Sequence, residues 1–241
     1  ILMQEFANPH SLRNGIFDLL SSINLATDDN VKLLDYTTEL FNKNGLSSDY
    51  YGYHNIDHEL EVTYVTLLSA INLVNKEKFS LDDTKYLFAS ALLHDFDPSK
   101  SADKPHEKNV IQFITKDTTI QNLLKNANLD PAIICALISR TVYPWIGDTK
   151  IITEKQMKNY FNSSAITKNK PELHDHFRML GHFLSVGDRV GGYSLGDFGK
   201  AMEMAKMNAH ASGWHPALIV RRSVSFFEDM LNNDADMCEL L

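Results

Sequence analysis

Apolar residues recur at helical spacing along nearly the whole chain, and this periodicity constrains the fold more than any other feature of the sequence. Only 7 prolines and 11 glycines occur in 241 residues, which leaves room for long helices. No segment shows a convincing alternation of apolar and polar residues of the kind that a half-buried strand needs. The sequence therefore predicts an all-α fold, a helical bundle.

The ends of the periodic segments carry helix start and stop signals. Asn55 is a suitable N-cap, and Pro131 suits a first helical turn. Gly191, Gly192 and Gly196 predict a break in the chain. The predicted helices span residues 31–46, 55–75, 81–95, 106–115, 130–141, 154–161, 172–190, 197–211 and 216–231.

Length and composition describe an ordinary globular chain. A chain of 241 residues, 44% of them hydrophobic, can bury a sizeable core. Residues 1–45 are expected to form an N-terminal helical segment, either separate from a domain over 46–241 or part of it. No apolar run approaches the ~20 residues of a membrane span. Cys135 and Cys238 are expected to be reduced, so a cytoplasmic protein is expected.

The net charge of −8 argues against a broad surface for nucleic acid or for an anionic membrane. It does not exclude an anionic substrate, because a bound divalent metal can dominate the potential inside one cleft. An oligomer is compatible with the sequence.

The residues with the strongest chemical character form an ordered set of histidines and carboxylates. His94-Asp95 directly follows five small and apolar residues, which draws the pair toward the interior. Burying a carboxylate there is costly unless a cation or hydrogen bonds compensate, and a divalent metal can do so. Imidazole and carboxylate together suit Mn, Fe, Zn or Co, whereas Mg and Ca favour oxygen-rich sites. The string Tyr53-His54-Asn55-Ile56-Asp57-His58 lies upstream, and Asp188 ends an apolar helix downstream.

The order His…His-Asp…Asp on helices resembles the HD-domain superfamily, which is all-helical and largely made of metal-dependent phosphohydrolases. The string from Tyr53 to His58, followed by Val62, is similar to the Tyr-His-Asn-x-x-His-x-x-x-Val signature of class I cyclic-nucleotide phosphodiesterases. The resemblance implies one or two divalent ions, drawn from Mn, Mg, Zn, Fe and Co.

The same resemblance implies a role for each matching residue. Asp95 would also bridge to a second metal, and His54 would be the general acid that protonates the leaving oxygen. An imidazole suits this task because its ordinary pKa lies near neutrality. The implied ligands of the tighter metal are His58, His94, Asp95 and Asp188.

The chain departs from the phosphodiesterase pattern in two places. The family has a further histidine soon after His-Asp, which is missing here, and His106 is the candidate that replaces it near a second metal. Ser223 stands where the family has its base-binding glutamine, although Phe226 can still stack on a base. Arg140 and Lys100 are candidates for contact with a substrate phosphate.

Two other carboxylates compete with Asp188 for the fourth ligand position. Asp197 is one of them. Asp175 is the other, and it belongs to a second pair, His174-Asp175-His176, which follows a polar segment and is expected to be an exposed helix start.

The sequence thus predicts a phosphohydrolase, foremost a phosphodiesterase that acts on a cyclic nucleotide or a similar small nucleotide through metal-activated water. A nucleotide monoester phosphatase is the alternative within this class. A di-iron oxygenase, for which His106 would supply an extra ligand, and a non-catalytic regulatory module are the alternatives outside it.

Overall fold

The computed structural model describes residues 9–46, 54–101, 105–194 and 215–241, together with 199, 202, 203, 205, 206 and 209. Within these residues the chain is all-helical, as predicted, and no helix is both long and apolar enough to cross a bilayer. The helices are α1 (Pro9–Ser22), α2 (Asp28–Lys43), α3 (Ile56–Asn75), α4 (Leu81–Leu93), α5 (Glu107–Lys116), α6 (Thr118–Asn126), α7 (Pro131–Ser139), α8 (Gly147–Ser163), α9 (Pro171–Ser194), α10 (Ile219–Asn233) and α11 (Ala235–Cys238). A 3₁₀ turn, Pro216–Leu218, precedes α10. Tyr53, Gly196, Asp197 and much of the predicted helix over 197–211 lie outside the described residues.

Side-chain caps fix where the central helices begin. The side-chain oxygen of Asn55 accepts hydrogen bonds from the backbone N–H groups of Asp57 and His58, at 2.8 and 3.2 Å. Asn55 is therefore the N-cap of α3, as predicted, and it holds His58 in the first turn. Ser80 and Asp83 form a reciprocal capping box at the start of α4.

One apolar core runs through the bundle. Helix α3 packs against α1, α4 and α9, and α7 packs against α4 and α9. Ile16 of α1 and Phe41 of α2 are buried in the same core as Leu60 of α3 and Phe88 of α4. The two N-terminal helices thus share their packing with the helices that carry the His and Asp residues.

Helix α9 continues through Gly191 and Gly192 to Ser194, so the predicted break at these two glycines is wrong. A Cβ atom on Gly191 would lie 3.0 Å from the Cα atom of Val62 in α3. Glycine serves here to bring two helix backbones close together, and it does not end the helix. Helix α8 begins at Gly147 instead of residue 154. Helix α1 lies within the predicted N-terminal helical segment, whereas α6 and α11 lie outside the predicted helices.

Candidate metal centre

Four side chains from three parts of the bundle converge on one point. His58 comes from the first turn of α3, His94 and Asp95 directly follow α4, and Asp188 lies on α9. One nitrogen or oxygen atom from each of the four lies within 4.8 Å of the others, an arrangement that can hold a metal ion. These are the four residues that the sequence analysis selected as ligands.

The spacing of the donor atoms fits a single ion. Oδ1 of Asp188 lies 3.1 Å from Nε2 of His58 and 3.3 Å from Nε2 of His94. Oδ2 of Asp95 lies 3.5 and 3.6 Å from the same two nitrogens. Two donors that are each ~2.1 Å from a metal lie about 3.0 Å apart at a right angle and about 3.4 Å apart at a tetrahedral angle. The observed separations are close to these values.

Burial and charge shift the pKa values of all four groups. Burial by itself would lower the pKa of His58, but hydrogen bonds to Asp188 and Asp95 raise it to about 9. Burial would also lower the pKa of His94. The negative charges of Glu59, Asp95 and Asp188 outweigh burial and raise this pKa well above its ordinary value. Burial would raise the pKa of both carboxyls, yet the facing histidines hold each pKa below its usual range.

The directions of these pKa shifts favour a metal-free quartet of two imidazolium cations and two carboxylates. A divalent ion that replaces the two imidazole protons leaves the formal charge of this quartet unchanged. Nitrogen and oxygen donors in equal number suit Mn, Fe, Zn or Co. The donor set, its burial and its spacing thus fit a metal ion, and they leave the identity of that ion open.

Glu59 lies behind His94, on the side away from Asp188, and its place in the site was not identified from the sequence. The Nδ1–H of His94 donates to the carbonyl oxygen of Ala91 at 2.7 Å, and Oε2 of Glu59 lies 3.3 Å from the same nitrogen. These contacts orient the ring so that Nε2 faces Asp188 and Asp95. Burial raises the pKa of Glu59 to about 6. Its position next to His58, in a helix that is buried on most sides, was the available signal.

Close helix packing brings Asp188 to the two histidines. Gly187 and Gly191 lie one turn apart on α9 and face α3. A Cβ atom on Gly187 would lie 2.7 Å from Oγ1 of Thr66, which is too close for an unaltered structure. Asp188 thus lies next to Gly187, where α9 packs closely against Thr66 of α3.

His54 lies beside the four ligands. Its Nδ1–H donates to Oδ2 of Asp95 at 2.7 Å, and its side chain is partly exposed. This hydrogen bond fixes the orientation of the imidazole next to the proposed ligand Asp95. The structure therefore brings the predicted general acid into contact with the predicted metal ligands.

The structure does not bring His106 into this group. Its side chain is 60% exposed, and its ring lies near Glu107. The backbone N–H of His106 donates instead to Asp97, a buried carboxylate that also accepts from Asn109 and Ser99 and so organises the loop. The role of His106 as a ligand of a second metal stays a prediction, and the position of its side chain does not support it.

The three residues predicted to contact substrate lie in two places. Lys100 lies near Gly45, at the end of α2, with its Nζ 3.5 Å from the point where a Cβ on Gly45 would be. Arg140 and Phe226 line one cavity of about 470 Å³. Ser185 and Arg189, which flank Asp188 on α9, also line it.

The second His-Asp pair points its side chains in different directions. Asp175 is exposed and pairs with Arg178 at 2.7 Å, as expected for a helix start. His174, in contrast, is buried and contacts the carbonyl oxygen of Thr167 at 2.9 Å. Within the described residues neither is part of a potential metal-binding group. The other competitor of Asp188, Asp197, lies outside the described residues.

Comparisons of this chain with protein-family models, with curated proteins and with solved structures return no match.

Proposed function

We propose that this chain is a metal-dependent phosphohydrolase of the HD-domain type, foremost a phosphodiesterase that acts on a cyclic nucleotide or a similar small nucleotide. The observation that carries the proposal is the convergence of His58, His94, Asp95 and Asp188 within 4.8 Å, in the chain order of that superfamily. The contact of His54 with Asp95 adds a proton donor at the edge of the same group.

The proposed roles follow from the chemistry of each side chain. The four ligands would hold a divalent ion, which when bound activates water and polarises a phosphoryl group. Asp95 orients His54 by accepting a hydrogen bond from its Nδ1–H, so that Nε2 of His54 can donate a proton to the leaving oxygen. Glu59 keeps His94 in the orientation that turns Nε2 toward the ion.

The alternatives use different parts of this arrangement. A nucleotide monoester phosphatase needs the same four ligands and differs in its substrate, so an assay with both kinds of ester separates the two. The di-iron oxygenase hypothesis relied on His106 as an additional ligand, and the structure leaves His106 outside the group. The phosphohydrolase is therefore the function that we put forward for testing.

The test compares the two His-Asp pairs of the chain. Purified wild-type protein, Asp95→Ala and Asp175→Ala are assayed with Mn²⁺ on 3′,5′-cyclic AMP, 3′,5′-cyclic GMP and nucleoside monophosphates. We expect ester cleavage by the wild type and by Asp175→Ala, because Asp175 is an exposed residue outside the site. Asp95→Ala removes a ligand and should lose both bound metal and activity. Cleavage at the wild-type rate by Asp95→Ala would contradict the proposal, as would a metal-loaded wild type that cleaves no ester.

A further inference from the structure

Helix α10 (Ile219–Asn233) carries two apolar faces and turns one of them toward the rest of the fold. Ile219 and Met230 are its buried residues, and they lie on the same side of the helix. A second row of apolar residues runs along an adjacent side. This row, which we call the α10 stripe, consists of Val220, Val224, Phe227 and Leu231.

The α10 stripe has the spacing of a surface that packs along another helix. Its four residues follow one another at intervals of 4, 3 and 4 residues, the alternation by which two helices pair. At 100° per residue they fall within about 60° of one another on the helix. Val220, Val224 and Leu231 are 59%, 51% and 57% exposed, and Phe227 is half-buried. A contiguous apolar row in contact with water is typical of a surface that binds another protein or a membrane.

The charges beside the stripe distinguish between these possibilities. Arg221 and Arg222 lie near the N-terminal end of α10, and Glu228 and Asp229 lie in its second half. All four are exposed, and none forms an ion pair with another residue in the described part of the chain. A lone helix favours the reverse order, because its N-terminus carries a partial positive charge. The stability of α10 by itself therefore does not explain this charge order.

A second copy of α10, running antiparallel to the first, would complement this charge order. A two-fold axis through the middle of the stripe places Val220 of one copy opposite Leu231 of the other. The basic half of each helix then lies along the acidic half of the other. Arg221 and Glu228 lie on the same edge of the stripe, so the axis creates two Arg221–Glu228 contacts. The surface is thus complementary to itself in both its apolar residues and its charges.

We propose that the α10 stripe is the surface through which two copies of this chain associate, with their α10 helices antiparallel. A helix of 15 residues is about 22 Å long. One pair of such helices buries less than the ~1,600 Å² of a typical stable interface, so we expect a dissociation constant in the micromolar range. The association needs neither a metal nor hydrolase activity, so it is independent of the proposed function.

An anionic lipid surface is the main competitor for an exposed apolar helix face. Arg221 and Arg222 would favour such a surface. Glu228 at the edge of the stripe and the net charge of −8 oppose it, because anionic headgroups repel carboxylates. A second copy of the chain, in contrast, pairs charges of both signs, and it is the occupant that the charge order favours.

Sedimentation equilibrium of the whole chain at low salt tests the charge contacts. Arg221→Glu and Glu228→Arg each bring like charges together at both contacts, and each should raise the dimer Kd about tenfold or more. An equimolar mixture of these two variants is complementary again, so dimers should return with a Kd near that of the wild type. Arg222→Glu makes the same change in net charge on the side of α10 about 180° from the stripe, and it should associate like the wild type.

A substitution in the stripe tests the apolar contact. Val224→Glu places a charge at the centre of the paired helices and should abolish association. Ile151→Glu is the matched control, because Ile151 is an apolar residue of α8 that is 67% exposed and lies outside the stripe. Both substituted positions are exposed, so the fold should be retained, and thermal melts of each variant verify this.

Four results would overturn the proposal. They are a wild type that stays monomeric at millimolar concentration, dimers that survive Val224→Glu, a mixture of the two charge variants that stays monomeric, and a monomeric wild type that sediments with phosphatidylserine vesicles. None of these measurements involves ester hydrolysis, so this proposal and the proposed function fail separately.

Discussion

His58 and His94 are buried imidazoles that face the same two carboxylates, and this contact sets their charge. Burial favours neutral rings, but the acidic partners outweigh burial and keep both rings protonated near neutral pH in the absence of metal. Each of the two imidazoles thus carries a proton that a metal ion in the proposed site would have to displace.

The raised pKa of His58 predicts how the stability of the metal-free protein depends on pH. His58 titrates at about 9 in the folded chain and has an ordinary pKa of 6.5. A raised folded-state pKa contributes stability that is complete below pH 6.5 and is lost as the pH rises through about 9. Asp95 and Asp188 have lowered pKa values, so their contribution is present above 3.8 and is lost on acidification.

We therefore expect the melting temperature of the chelator-treated chain to fall as the pH rises from 6.5 toward 9, and to fall on acidification below 3.8 as the two carboxyls take up protons. Circular-dichroism melts across this range measure it. Saturating metal serves as the control, because bound metal keeps the imidazoles neutral and should remove most of the decline above pH 6.5. A metal-free profile that stays flat from pH 6.5 to 9 would contradict the charge assignment.

At the residue scale, the sequence predicted which side chains converge better than it predicted what surrounds them. The apolar run before His94-Asp95 indicated that the pair is buried, and the structure shows His94 with no exposed surface. Glu59 was missed because an acidic residue in the first turn of a helix is ordinary there. Only the packing of α3 and α4 reveals that its carboxylate lies beside His94.

At the scale of elements, the contact between α3 and α9 places Asp188. Gly187 and Gly191 leave space for Thr66 and Val62, and a side chain at either glycine would separate the two helices. The position of Asp188 is therefore set in part by two glycines that have no reactive side chain of their own.

Gly187→Ala tests this contact. The added Cβ would lie 2.7 Å from Oγ1 of Thr66, so the helices have to move apart. We expect a loss of roughly 1–3 kcal/mol of unfolding free energy and weaker metal binding. The double variant Gly187→Ala/Thr66→Ala removes the obstructing hydroxyl and should recover much of both losses.

Denaturant unfolding and metal titration of the two single variants and the double variant measure the coupling. Additive losses, with no recovery in the double variant, would show that Gly187 does not control the distance between α3 and α9.

The helix ends that sequence reasoning missed have physical explanations. The first turns of α8 expose Ile151 and Ile152 to solvent, and the buried residues of this helix begin at Thr153. Periodicity detects only the part of a helix that faces a core, so it placed the start at residue 154. Gly191 was predicted to end α9, because glycine commonly follows the end of a helix. The sequence does not show that the backbone of α3 lies beside this glycine.

At the scale of the whole molecule, the N-terminal helices and the metal-ligand group depend on one core. Ile16 of α1 is fully buried in the core that contains Leu60 of α3. The all-α class followed from the periodicity, but the meeting of His58 with Asp188, 130 residues apart, depends on tertiary packing. The spacing of these residues along the sequence does not predict that they lie together. The prediction came from the resemblance to the HD-domain order.

The shared core predicts that a change in α1 lowers the stability of the whole unit. We expect Ile16→Ala to lower the unfolding free energy by about 2–5 kcal/mol, since it leaves a cavity. Phe17→Ala, at the neighbouring position that is 36% exposed, is the control and should have a much smaller effect. Calorimetric melts with and without metal should show one transition, which Ile16→Ala lowers and metal raises. A metal-protected transition unaffected by Ile16→Ala would show that residues 1–45 unfold separately.

The charge of the quartet bears on the proposed function in one further way. Two imidazole protons and one divalent ion carry the same formal charge, so the buried carboxylates of a metal-free chain would already have cationic partners. Loading a metal ion into the proposed site of the folded bundle would then release protons to solvent, and the number released could be measured as the ion binds.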